Sequence, residues 1–175
     1  MNTGQTLLTL GAFIFLTTIL MNFYGMVGQT GDTIKSGQDG ILGTTIASSY
    51  MEIAQGLAFD QITDTSDIAL HDPTVLTITA MLGPELGEDS LSLFNDFDDF
   101  NGLEMEKQAI GSECRYRTKF DVYYVSADDL DLMVGSRTFV KRMDLETWRV
   151  FPVPLGLDQT DTVRTSVVLG YFHFD

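Results

Sequence analysis

From Leu7 to Val27 the chain reads LLTLGAFIFLTTILMNFYGMV, an apolar run without a polar face, and the first 31 residues contain no Lys, Arg, Asp, Glu or His. Taken as one helix, the 22 residues Thr6–Val27 rise roughly 33 Å, enough to cross a hydrocarbon core of about 30 Å once. From Ile41 the pattern becomes amphipathic. Leu42, Ile46, Tyr50, Ile53 and Leu57 recur every three or four residues with Ala47, Ala54 and Ala58 beside them, which predicts a helix over 41–59 with one buried face. Between the two segments lie glycines 25, 28, 31, 37, 40 and 43. Each costs about 1 kcal/mol in a helix relative to alanine, so a weak or locally unwound stretch is expected over 25–40. A flexible juxtamembrane linker, or close helix contact through the small residues, are the alternatives.

Farther on the period falls to two. Strands are predicted at Thr74–Ala80, Tyr116–Val125, Thr138–Leu145 and Val163–Phe174, with turn signals at Ala127-Asp128-Asp129, Val134-Gly135-Ser136 and Leu155-Gly156-Leu157. Trp148, Phe151, Pro152, Val153 and Pro154 read as an apolar segment outside the strands, either capping a sheet edge or forming a subunit contact. A small antiparallel sheet cannot leave its apolar face in water, and the 41–59 helix is the long apolar stripe available to cover it. The fold class expected is α+β: a long N-terminal helix, half transmembrane (6–27) and half amphipathic (41–59), packed on a small antiparallel sheet. Domain boundaries follow as a short leader 1–4, the helix 5–59 and an acidic loop plus β head 60–175.

Charge is local. Of the formal −15, residues 60–106 supply twelve acids and no Lys or Arg, whereas 107–175 nearly balance. Such a surface repels phosphate backbones, so no direct nucleic-acid partner is expected; Arg115, Arg117, Lys119 and Arg137, Lys141, Arg142 are the small basic exceptions. One cysteine, Cys114, excludes an intramolecular disulfide framework. The segment ahead of the span has no cation, and no small-x-small site follows Val27, which disfavours an ordinary cleaved signal peptide. A very short tail on one side and a large acidic domain on the other suggest that the acidic domain is exported. His71 precedes Asp72-Pro73 in a turn and His173 ends the last strand; neither belongs to a nucleophile or metal motif, and no enzyme activity is expected.

Gly4, Gln5, Thr6, Leu7, Leu8, Thr9 and Leu10 resemble the G-F-T-L-x-E-L pattern at which a prepilin peptidase cuts, and with the helix-plus-sheet architecture the chain resembles the type IV pilin and pseudopilin family. Asp98, Asp99, Phe100, Asn101 and Gly102 are similar to the aspartate-rich loop between helix and sheet in many pilin-like proteins. Two positions depart from the pattern: Gln5 replaces the usual Phe, and Thr9 stands where the family carries a glutamate. A threonine in a membrane helix can return its hydroxyl to a carbonyl one turn earlier at little cost.

The resemblance implies a structural role. The precursor sits in the inner membrane, is cleaved between Gly4 and Gln5 and methylated, and then self-associates with other pilin-like subunits into a helical filament on the cell surface. Leu7, Leu8, Leu10, Phe13, Ile14, Leu16, Ile19, Leu20 and Phe23 are then the filament-core contacts. A membrane-anchored extracytoplasmic binding domain that never polymerises is the alternative.

One polar constellation suits a hard cation. Asp96, Asp98, Asp99 and Asn101, with Glu104 and Glu106 following, place several oxygen ligands in a short stretch, a candidate for Ca²⁺. The EF-hand pattern fails, since counting back from Gly102 brings Phe97 to a ligand position. A solvated loop anchored by Phe94, Phe97 and Phe100 is the other reading.

Overall fold

The structure, a computed structural model, describes residues 3–65, 72–153 and 162–172. His71, His173, Pro154 and the Leu155-Gly156-Leu157 turn lie outside the described residues. One helix, α1, runs from Thr3 to Gln55, and the chain divides after Asp39 into two compact units.

The first unit is helix alone. Its side chains from Leu7 to Val27 are all exposed, from 46% for Leu20 to 75% for Leu8. The helix reaches a mean hydropathy of 1.9 over an 18-residue window, long and apolar enough to cross a membrane. It also continues unbroken through the glycines of 25–40, where an unwound stretch is expected from sequence. Glycine weakens a helix by about 1 kcal/mol relative to alanine but keeps its backbone N–H and C=O, so the helical hydrogen bonds run through every one of these positions. Thr9 donates its hydroxyl to the carbonyls of Gln5 at 2.9 Å and Thr6 at 3.0 Å, the local bond expected of it.

In the second unit, residues 40–55 of α1 lie on a four-stranded antiparallel sheet of order β1-β2-β3-β4. The strands are β1 (Glu104–Gln108), β2 (Arg115–Tyr124), β3 (Val140–Phe151) and β4 (Val163–Gly170). This α+β layout agrees with the sequence expectation. Ile46, Ala47, Tyr50 and Ala54 are the buried stripe, whereas Ile53, assigned to it from spacing, is 37% exposed. Gly43 completes the stripe: a Cβ there would lie 3.1 Å from Val163 Cγ2, so the missing side chain lets helix and β4 approach. Beneath the helix, Tyr116, Thr118, Phe120, Val122 and Tyr124 alternate inward along β2, matched by Met143, Leu145 and Thr147 on β3. Tyr50 meets Phe120 edge to face at 5.1 Å, and Thr118 and Thr147 share a buried hydrogen bond of 2.9 Å.

Three further sequence expectations need correction. The helix stops at Gln55 and not Phe59, because Gly56 ends it and Ala58 pairs with the loop: its N–H donates to Asn95 O and its carbonyl accepts from Phe97 N. Thr74–Ala80 is not a strand but two 3-10 turns, Pro73–Val75 and Thr79–Met81. Asp72 caps the first by accepting from Thr74 N, and proline at its start presets the turn, which overrides the β-branched composition. Finally β3 continues six residues beyond Leu145, so Trp148 belongs to the sheet and does not cap its edge.

Candidate metal centre

The acidic loop folds around a 3-10 turn, Phe97–Phe100, whose aromatic residues anchor it. Phe97 and Phe100 are fully buried and Phe94 nearly so, and the Phe100 ring packs at 5.2 Å against both Phe94 and Phe120. The anchors are those read from sequence, but the loop is not solvated. Asp96, Asp98 and Asp99 are all 0% exposed. Burial of three carboxylates within four residues costs several kcal/mol each unless they find partners.

Asp98 finds one. Lys141, at the start of β3, is wholly buried and donates to Asp98 Oδ1, to Asp60 Oδ2 at 2.9 Å and to Phe59 O at 2.8 Å. Three acceptors match the three N–H bonds of an ammonium. Asp60 is itself satisfied by Thr77 N at 3.0 Å and Thr77 Oγ1 at 3.1 Å, while Tyr124 OH donates to Thr77 O at 2.8 Å. The Phe59 and Tyr124 rings stand 4.8 and 5.4 Å from Nζ, giving the cation two π faces as well. Burial, and then the Asp60 and Asp98 charges, push the Tyr124 hydroxyl above its ordinary range, so it stays a donor.

Asp96 and Asp99 form the capping box of the turn: Asp96 Oδ1 accepts from Asp98 N at 2.9 Å, and Asp99 Oδ2 accepts from Asp96 N at 3.1 Å and Asn95 N at 2.8 Å. Each uses one oxygen. The others, Asp96 Oδ2 and Asp99 Oδ1, are buried without a hydrogen-bond partner, as are Asp98 Oδ2, Glu85 Oε2 and Asn95 Oδ1. Oxygens of Glu85, Asp96 and Asp99 lie within 4.8 Å of one another.

Glu85 arrives on a turn between Gly83 and Gly87, whose φ of 138° and 108° are conformations that side-chain-bearing residues rarely adopt. Glu88, on the same turn, accepts from Glu85 N at 2.9 Å and from Asn95 Nδ2 at 2.6 Å. Among the described residues no Lys or Arg pairs with Glu85, Glu88, Asp96 or Asp99. Burial first, and then the Asp98 and Asp99 charges, raise the Asp96 carboxyl to about 8. Glu85 likewise rises to about 8, through burial and then its bond with Glu88. Burial raises Asp98 as well, despite Lys141 beside it, and the Lys141 charge offsets the rise of Asp96 only in part.

The four residues named from sequence as calcium ligands therefore separate. Asp96 and Asp99 share the cluster. Asp98 turns to Lys141, and Asn101 is occupied structurally, donating to Leu82 O at 2.9 Å and accepting from Val122 N at 2.9 Å. Sequence reasoning missed Glu85, eleven residues away, and missed Lys141 as a buried partner. A signal for Lys141 existed, since the alternation of β3 puts it in register with Met143 and Leu145.

The basic clusters are engaged as well. On the outer sheet face Arg115 and Arg117 reach Glu106 at 2.6 and 3.3 Å, Lys119 reaches Asp121 at 3.0 Å, and Arg142 pairs with Asp144 at 2.7 Å. Arg137 donates to the carbonyls of Thr74 and Leu76. In α1, Gly4 and Gln5 lie inside the first helical turns, and the nine residues named as filament contacts are all exposed.

Fold and site together define an α+β head, bearing a buried acidic centre, whose covering helix continues toward the N-terminus as an apolar segment. No protein-family model matches the chain, and neither does any curated protein or solved structure.

Proposed function

We propose that the chain is a structural subunit of a type IV pilus-like or pseudopilus-like extracellular filament. The observation that carries this reading is the apolar surface of α1: from Leu7 to Val27 no side chain is buried, so lipid or neighbouring helices must cover it. Lipid holds the precursor in the inner membrane. Cleavage by a prepilin peptidase between Gly4 and Gln5 releases it, and helices of other copies or related subunits then replace the lipid. Since the two surroundings are alike in polarity, transfer from one to the other depends on close side-chain packing.

One observation favours a second reading, a membrane-anchored extracytoplasmic binding domain that never leaves the bilayer. Thr9 satisfies its hydroxyl within its own helix, so this position presents no polar group that requires a neighbouring subunit. Mass spectrometry of the N-terminus in sheared surface material separates the two. A mature chain starting at Gln5 in filaments supports the subunit, and an intact Met1 confined to the membrane fraction overturns it. Phe13→Ala and Leu16→Ala should reduce filament yield several-fold while leaving the melting of the head unchanged.

A further inference from the structure

Asp96, Asp98 and Asp99 each keep one buried, unpaired carboxylate oxygen, and two of these residues gather with a third carboxylate. Asp96 and Asp99 are 0% exposed, yet each holds one carboxylate oxygen that bonds to nothing, and both form a group with a Glu85 oxygen in which no pair is more than 4.8 Å apart. Buried carboxylate oxygens in proteins are paired in the great majority of cases, so unpaired ones in a single place indicate a missing partner. That partner cannot be Lys141, whose three N–H bonds are spent on Asp60, Asp98 and Phe59 O.

We propose that Glu85, Asp96 and Asp99 bind a divalent cation, and that the cation is calcium. The donor set is all oxygen, with no Cys or His, which suits a hard ion and not zinc. Between hard ions, calcium takes six to eight oxygens in flexible geometry, which suits carboxylates already fixed by other bonds better than the near-ideal octahedron magnesium demands. The capping box fixes Asp96 and Asp99 through their other oxygens, so the free ones are held in position before any ion arrives. Glu85 is the adaptable third ligand, on a glycine-bounded turn beside an open recess lined by Pro84, Glu85, Leu86, Gly87, Glu88 and Asp89. That recess brings solvent to Glu85, a source of the waters that would complete six to eight ligands. Asn95, whose Oδ1 is also buried and unpaired, neighbours Asp96 in the chain. The assignment holds whether or not the chain polymerises.

The test uses the full chain in detergent, stripped with chelator and titrated with calcium chloride by calorimetry and by thermal melting. Expected are one site per chain with a Kd of about 1 mM or tighter, the range of extracellular calcium modules, and a melting temperature raised by several degrees. Glu85→Gln, a half-buried position outside the capping box, should keep the chelated protein folded and weaken calcium at least tenfold. Combined with Asp96→Asn it should abolish binding. Absence of a calcium-dependent heat or melting shift up to about 10 mM would overturn the site. So would a Glu85→Gln chain that binds calcium as the wild type does. A response to magnesium as strong as that to calcium would overturn the assignment of the ion.

Discussion

Asp98 and its neighbours Asp96 and Asp99 belong to one short turn, are equally buried and each keep one unpaired oxygen, yet only Asp98 has an ammonium against it. Asp98 joins Asp60 around an ammonium whose every proton is used. Asp96 and Asp99 join Glu85 around a space that no Lys or Arg among the described residues enters. The difference arises from the turn itself. Asp98 faces β3, where Lys141 waits in an inward position, while the caps on either side turn toward the glycine-bounded loop at Glu85. Burial is thus no guide to what a carboxylate does; the supply of positive charge decides.

Removing that charge from the first cluster gives the largest effect. Lys141→Met leaves Asp60 and Asp98 buried and unpaired, and should cost about 3–5 kcal/mol in denaturant unfolding of the head. Adding Asp60→Asn and Asp98→Asn should recover part of the loss. A Lys141→Met head as stable as the wild type would erase the contrast between the clusters.

The second cluster should respond to pH. Folding raises Asp96 and Glu85 to about 8, so the folded head keeps protons that the unfolded chain releases near its ordinary carboxylate range of about 4. This contribution to stability is complete below about pH 4 and is lost as pH rises toward about 8. In chelator, then, the acidic cluster should make melting lower at about pH 8 than at about pH 5. Glu85→Lys, which brings an ammonium to the cluster, should flatten that slope. An unchanged slope in this variant would place its origin elsewhere.

The smallest effect belongs to the outer sheet face, where charges are paired in water. Arg115→Ala removes a 2.6 Å bond to Glu106 but should change stability by less than about 1 kcal/mol, because both side chains are exposed to solvent and screened. A larger loss would show that exposed pairs here behave like the buried ones.

Much of the scaffold was legible in the residues. The stripe at Ile46, Ala47, Tyr50 and Ala54 and the alternation of Tyr116 to Tyr124 are periodicities that packing on one face enforces. What escaped was structure carried by polar contacts. β1 reads EMEKQ, and only Met105 and Lys107 turn inward, Lys107 to bond Ser49 at 3.0 Å, so no apolar alternation marks it. Thr74–Ala80 looks like a strand until Asp72 caps it and Asp60 takes the N–H of Thr77. The acidic site was half legible for the same reason. Adjacency in sequence drew Asp98 and Asn101 into one group, whereas ligands are gathered by the fold, and Glu85 comes from another turn.

Lys141 also has a topological meaning. Its Nζ holds Asp60 and Asp98 at one point, closing a loop of about 38 residues, and a closure of that length removes roughly 3 kcal/mol of freedom from an open chain. A disulfide would restrict the unfolded chain as well, whereas this link exists only in the folded head, so its charge pairing has to outweigh the entropy of closure. Reductants have nothing in it to attack, and its burial shields it from salt.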